Sequence, residues 1–67
     1  MISARNQLSG TIEEILIGGV MAHIVVRVGN NIVESVITKR SAEQMGLKKG
    51  DKVTAVIKST EVMIQKD

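Results

Sequence analysis

The 67-residue chain contains no cysteine, no proline and no phenylalanine, tyrosine or tryptophan. Without cysteine it has neither disulfides nor thiolate metal ligands. A single histidine, His23, argues against a histidine-based metal centre. The missing aromatic side chains remove the stacking platforms on which single-stranded nucleic acids are bound. The core must therefore consist of small and medium aliphatic side chains.

So short a chain is difficult to stabilise as a monomer. A domain of this size buries only about 60% of the surface that its unfolded chain exposes. The usual supports are disulfides, a structural metal or oligomerisation. Because the composition argues against the first two, we expect an oligomer.

The charge and hydropathy patterns exclude few function classes. No apolar run reaches membrane-spanning length, and the first residues lack a basic-then-apolar signal pattern. We therefore expect a soluble, cytoplasmic protein without a membrane partner. Nine basic and seven acidic residues leave a net charge of +2, which favours an anionic partner only slightly.

Turn signals divide the first half of the chain into strands. Gly18-Gly19 and Gly29-Asn30-Asn31 are typical turn sequences. Gly10 is expected to mark a bulge or bend in a long first strand. The predicted strands cover residues 2–17, 20–28 and 32–38.

The second half predicts one short helix between two further strands. Ser41 and Gln44 have the spacing of a capping box, and Gly46 suits the left-handed position after a helix. Strands are predicted at residues 52–58 and 61–65. The whole chain, residues 1–67, is expected to form one all-β domain with one short helix, an OB-like five-stranded Greek-key barrel.

The predicted second strand is apolar on both faces. Met21 and Val25 point to one side. The side chains predicted to point to the other are Val20, Ala22, Ile24, Val26 and Val28. A strand with one wet face would alternate more cleanly. We therefore expect the second face to contact another subunit.

Polar side chains gather at the start of the chain. In an extended strand Ser3, Arg5 and Gln7 point to one face. The plainer explanation is an edge strand whose polar side chains deter aggregation. The functional explanation is one half of a binding site.

Two further polar clusters have the same two explanations. Thr38 and Ser41 flank the helix start, where capping alone accounts for a hydroxyl, although such a position also suits an anion. Lys58, Ser59 and Thr60 end the fourth predicted strand. The three clusters together offer cations and hydroxyls but no carboxylate, a set that suits a small oxyanion. His23 is expected to be a partly buried or interface residue, and no nucleophile–base set indicates an enzyme.

Three segments carry a resemblance to a known family. They are "ISARNQLSG" at the start, "VITKRSAEQMGLKKGDKV" in the middle and "TAVIKSTEVMI" near the end. Together they resemble molbindins, the stand-alone Mop-type molybdate-binding domains related to TOBE domains. The resemblance covers nearly the whole chain.

The resemblance implies an OB-like barrel assembled as a hexamer, a trimer of dimers, that binds molybdate or tungstate between subunits. It implies no organic cofactor, no directly ligated metal cation and no catalysis, and a role in intracellular molybdenum storage, buffering or delivery. Thr38 and Ser41 would come from the neighbouring subunit. The implied oxyanion ligands are Ser3, Arg5, Thr38, Ser41, Lys58 and Ser59.

A second family offers an alternative. The segment from Ile37 to Ile64 is also similar to the swapped-hairpin barrel of AbrB-type DNA-binding transcription regulators. Arg5, Lys39 and Arg40 would then contact phosphates. That pattern leaves the long N-terminal half unexplained, so we expect no nucleic-acid partner.

Overall fold

The computed structural model describes residues 5–67 as a curved antiparallel sheet with one short helix. None of the helices in this range is long and apolar enough to cross a membrane. The elements in chain order are β1 (Asn6–Ile17), β2 (Met21–Val28), β3 (Asn31–Thr38), α1 (Lys39–Met45), β4 (Lys52–Ile57) and a 3₁₀ turn (Ser59–Glu61).

β1 joins the two halves of the sheet. The strand order is β3-β2-β1-β4, and every neighbouring pair is antiparallel. The N-terminal half of β1 pairs with β4, and its C-terminal half pairs with β2. Thr11 lies at the crossover, where it is opposite Lys52 on one side and Arg27 on the other. β3 and β4 are therefore the two outer strands.

A β-bulge at Glu13 bends β1. The register with β2 shifts between Ile12 and Glu14, so Glu13 is the extra residue. Ile12 is buried and Ile15 packs against the same core, although regular alternation would put residues three apart on opposite faces. The bulge restores the inward direction of both side chains. The predicted bend at Gly10 was therefore misplaced along the strand.

Gly10 instead allows β1 and β2 to approach closely. A Cβ atom at this position would lie 2.5 Å from the carbonyl oxygen of Arg27 and 2.7 Å from a methyl carbon of Val26. Both distances are shorter than any ordinary carbon contact. A side chain here would force the two strands apart.

The core is small and entirely aliphatic. Ala22, Ile24 and Val26 of β2 are buried and Val28 packs against them, which confirms most of the inner face predicted for this strand. The prediction was wrong for Val20, which precedes β2 and is 73% exposed. Ile12 from β1 and Ala42 from α1 complete the buried set. Since no aromatic residue contributes, this core is small even for a chain of this length.

The helix begins earlier than predicted. Thr38 is the N-cap, and its hydroxyl oxygen accepts a hydrogen bond from the Ser41 amide at 3.0 Å. The assignment of Ser41 to the N-cap was therefore wrong, because the last residue of β3 already takes that role. Gly46 ends the helix with a left-handed φ of 63°, as predicted.

The predicted fifth strand is absent from the part of the chain that the structure describes. Ser59–Glu61 form a 3₁₀ turn, and residues 62–67 follow without belonging to any strand. A four-stranded sheet therefore replaces the expected five-stranded barrel within residues 5–67. Local composition predicts an extended segment, but a strand also needs an edge with which to pair.

Substitution of Gly10 tests the close approach of β1 and β2. We expect Gly10→Ala to lower the free energy of unfolding by about 1–3 kcal/mol, because the added methyl group overpacks a site bounded by backbone. Urea unfolding followed by circular dichroism measures this. Gly19→Ala is the matched control, since a Cβ there meets nothing within 4 Å. Equal stability of the two variants would contradict the packing argument.

Candidate functional site

The pairing of β1 with β4 brings two predicted ligands together. Asn6 and Ile57 are the last paired residues. Arg5 directly precedes Asn6 and Lys58 directly follows Ile57, so the two cationic residues flank the last pair of this ladder. Both residues are exposed, and neither takes part in an ion pair within residues 5–67. This end of the paired strands β1 and β4 thus carries two cations that no described carboxylate neutralises.

Arg5 and Lys58 add two exposed positive charges at this end of the sheet, which favours an anionic partner. Ser59, which follows Lys58 directly, is exposed and begins the 3₁₀ turn. Its hydroxyl adds a donor close to the cations. The predicted ligand Ser3 lies outside the described residues.

The Thr38 and Ser41 hydroxyls form a directional pair. Thr38 Oγ1 donates to Ser41 Oγ at 2.8 Å and accepts the Ser41 backbone N–H. Because the Ser41 oxygen already accepts this bond, its own proton is left to donate elsewhere. Capping and anion binding are therefore compatible here, as predicted from the sequence.

The two clusters adjoin different outer strands. Arg5 directly precedes β1 and Lys58 directly follows β4, at the end where these two strands pair. Thr38 ends β3 and pairs with Met21 of β2. The sheet is curved, so Ile37 and Ile57, the chain neighbours of Thr38 and Lys58, line one groove of about 280 Å³ between β3 and β4.

His23 forms an ion pair with Glu34 on the outer face of the sheet. The Nε2–Oε1 distance is 2.6 Å, and the two side chains are 38% and 59% exposed. The prediction of a partly buried histidine is confirmed. Residues 5–67 contain no group of three His, Cys, Asp or Glu side chains that could hold a metal ion.

The sequence analysis missed a polar depression on the outer face of the paired strands β1 and β4. It is an open cavity of about 650 Å³. Arg27 lies in its wall, but Glu13 holds the guanidinium through contacts of 2.7 Å to both Nε and Nη2. The residues that line the depression are brought together only by the pairing of the strands. The one sign of the depression in the sequence was that Ser9 and Thr11 are polar and two residues apart. The polar residues of the lining are Ser9, Thr11, Arg27, Lys52 and Thr54.

Curated relatives match this chain over nearly its whole length. Molybdenum-pterin-binding protein 1 of Clostridium pasteurianum is 47% identical over 64 residues, which is 94% of either chain. The molybdenum transport protein ModE of Azotobacter vinelandii is 41% identical over 63 residues, which cover 92% of this chain but 23% of ModE. The similarity therefore extends to a much longer protein that contains a segment of this kind.

Solved structures agree with the sequence matches. A molybdate-binding protein from Sporomusa ovata superposes with a TM-score of 0.94 at 42% identity, over 98% of both chains. MopII from Clostridium pasteurianum gives 0.91 at 45% identity, over 98% of this chain and 100% of MopII. The cytoplasmic molybdate-binding protein ModG, solved with molybdate bound, gives 0.82 at 37% identity, over 88% of this chain and 43% of ModG.

The family resemblance read from the three sequence segments is confirmed. The sequence model of the TOBE domain matches residues 2–64, a range that includes strands β1 and β4 and the helix α1. This chain belongs to the TOBE domain family.

Proposed function

We propose that this chain binds molybdate, or its close analogue tungstate, as a reversibly held ligand. The observation that carries the proposal is that Arg5 and Lys58 flank the last pair of the β1–β4 ladder and take part in no ion pair within residues 5–67. It coincides with positions that the molbindin resemblance assigns to the anion. Relatives named for molybdate or molybdenum binding support the same ligand.

The chemistry of the proposed donors fits a tetrahedral dianion. Molybdate has only acceptor oxygens, so every contact must come from an N–H or O–H group. The Arg5 guanidinium offers a charged fork, and the Lys58 ammonium offers a compact charge. Hydroxyl groups complete the set with neutral donors on further sides. The proposed ligands are Ser3, Arg5, Thr38, Ser41, Lys58 and Ser59.

The proposed site lies between subunits. The molbindin resemblance assigns Thr38 and Ser41 to a neighbouring copy, so a second chain would supply them. The Ser41 hydroxyl proton, left unused inside its own chain, would then point at the anion held by the neighbour. A hexamer built as a trimer of dimers would repeat this contact, and the five-stranded barrel would be completed in that assembly.

The proposed role is non-catalytic. A site made of cations and hydroxyls holds an oxyanion without a nucleophile or a general base to transform it, and it calls for no organic cofactor. Reversible binding suits storage, buffering or delivery of molybdenum inside the cytoplasm. The single domain of residues 1–67 would be the repeated binding unit of such an oligomer.

Replacement of Arg5 tests the site. A charged hydrogen bond contributes about 1.5–3 kcal/mol, so Arg5→Ala should weaken molybdate binding roughly tenfold to a hundredfold. Isothermal titration calorimetry measures the affinity. Lys58→Ala should lose less, because an ammonium is less directional than a guanidinium.

Lys52→Ala is the matched control, since it removes a cation from the same pair of strands but at the polar depression. It should leave molybdate affinity within about twofold, as expected for an exposed charge outside the site. A loss with Lys52→Ala and none with Arg5→Ala would move the anion site to the depression.

Anion size provides a second test. Sulfate has the charge and shape of molybdate but shorter bonds to oxygen, so a ring of donors spaced for the larger ion should hold it poorly. Tungstate is close to molybdate in size and should compete well. Competition titrations of molybdate-loaded protein with both anions measure this order. Equal competition by sulfate and tungstate would reduce the protein to a general anion binder.

Binding to duplex DNA separates this proposal from the AbrB-type alternative. The net charge of +2 supplies few phosphate contacts, so we expect no sequence-dependent retention in gel-shift assays at about 0.15 M salt. The Lys39→Ala/Arg40→Ala variant should behave like the unmodified chain. Retention that depends on DNA sequence and disappears in this variant would instead support a transcription regulator.

A further inference from the structure

The polar depression on the outer face of the paired strands β1 and β4 has no part in the proposed molybdate site. Of the proposed molybdate ligands that lie within residues 5–67, none lines it. Gly29, which does line it, adds no side chain that would fill it. The depression is therefore a separate feature of the surface, and its own side chains define what it could hold.

The pairing of β1 with β4 places four polar side chains next to one another. Ser9 is opposite Thr54, and Thr11 is opposite Lys52. These two pairs are two residues apart along both strands, so all four side chains point to the same face of the sheet. The Cβ atoms of directly opposite residues lie about 4.5–5.5 Å apart. Three hydroxyls and one ammonium are therefore close enough together to contact a single ligand.

These four polar groups are not used within the described part of the chain. Over residues 5–67, the hydroxyls of Ser9, Thr11 and Thr54 make no hydrogen bond. Lys52 joins no ion pair in the same range. Each hydroxyl can both donate and accept a hydrogen bond, whereas the ammonium only donates. The depression thus offers one free positive charge beside a set of hydroxyls without partners.

Arg27 adds hydrogen-bond donors to the depression but little net charge. Glu13 Oε1 lies 2.7 Å from both Nε and Nη2 of the Arg27 guanidinium, so the carboxylate neutralises it. The Nη1 group of Arg27 is left to donate. No carboxylate of residues 5–67 lines the depression itself. Its net charge is therefore that of Lys52, which suits a ligand with one anionic group.

The size and composition of the depression narrow the class of ligand. Its volume of about 650 Å³ lies in the range of about 300–1,000 Å³ that is typical of pockets for small organic molecules. The chain has no phenylalanine, tyrosine or tryptophan on which a nucleobase could stack. Hydroxyls that both donate and accept match the hydroxyls of a sugar, and a lysine ammonium matches a phosphate group.

We propose that the depression is a second binding site, which takes a sugar phosphate. The phosphate group would lie against the Lys52 ammonium and Nη1 of Arg27. The hydroxyls of the sugar would pair with those of Ser9, Thr11 and Thr54. Because the described ligands of the two sites are different residues, molybdate and the sugar phosphate would bind to the chain independently.

Titration with ribose 5-phosphate, followed by NMR of the backbone amides, tests the second site. Saturating molybdate is present throughout, so that the phosphate group does not compete for the proposed molybdate site. We expect saturable shifts centred on residues 9–11 and 52–54. Inorganic phosphate and ribose should each bind at least about threefold more weakly, because each supplies only part of the contacts. No saturable shift at millimolar ribose 5-phosphate, or equally tight binding of inorganic phosphate, would overturn the proposal.

Three variants locate the ligand within the depression. Lys52→Ala should weaken ribose 5-phosphate binding about threefold to tenfold. Lys49→Ala is the matched control, because it removes an exposed lysine that precedes β4 but does not line the depression. Glu13→Gln should strengthen binding about twofold to fivefold, since it removes the charge that neutralises Arg27. Equal affinities of Lys52→Ala and Lys49→Ala, or weaker binding by Glu13→Gln, would contradict the assignment.

The Arg5→Ala variant, titrated without molybdate, separates the second site from the proposed function. It should bind ribose 5-phosphate as tightly as the unmodified chain does, because Arg5 does not line the depression. Loss of ribose 5-phosphate binding in this variant would show that the sugar phosphate occupies the molybdate site, and the second site would be wrong. If the unmodified chain binds ribose 5-phosphate at residues 9–11 and 52–54 but fails to bind molybdate, the second site stands and only the proposed function falls.

Discussion

The antiparallel pairing of β1 with both β2 and β4 is the constraint on which the rest of the molecule depends. Its constant register with β4 ends at the Asn6–Ile57 pair, next to Arg5 and Lys58, and its bulged register with β2 turns Ile12 and Ile15 into one core. A slip of one residue in either half would reverse the faces of that half. The proposed site and the core therefore both depend on the pairing of β1 with its two neighbours.

Under the proposed function, the anion lies between copies of this small protein. Arg5 and Lys58 would come from one chain, and Thr38 and Ser41 would come from another. Placing the anion between copies lets each chain keep its cations exposed until the ligand arrives. The same arrangement avoids burying an unpaired charge in a core too small to compensate it.

The exposed apolar surface also favours association between copies of the chain. Five buried residues form the core, whereas Val20, Val36, Met63 and Ile64 are all more than 60% exposed. A small domain without disulfides or aromatic residues has few other sources of stability. Burial between copies would supply the missing hydrophobic contribution and fill the open groove.

The sequence by itself determined the positions of the first four strands, most of the inner face of β2 and the left-handed Gly46, because alternation and turn residues are local properties. Tertiary structure decided the bulge at Glu13, the cap at Thr38 and the missing fifth strand within the described residues. Each of these depends on which neighbour a residue meets across the sheet. The strand order β3-β2-β1-β4 was likewise decided only by the tertiary structure, because composition identifies residues without placing them side by side.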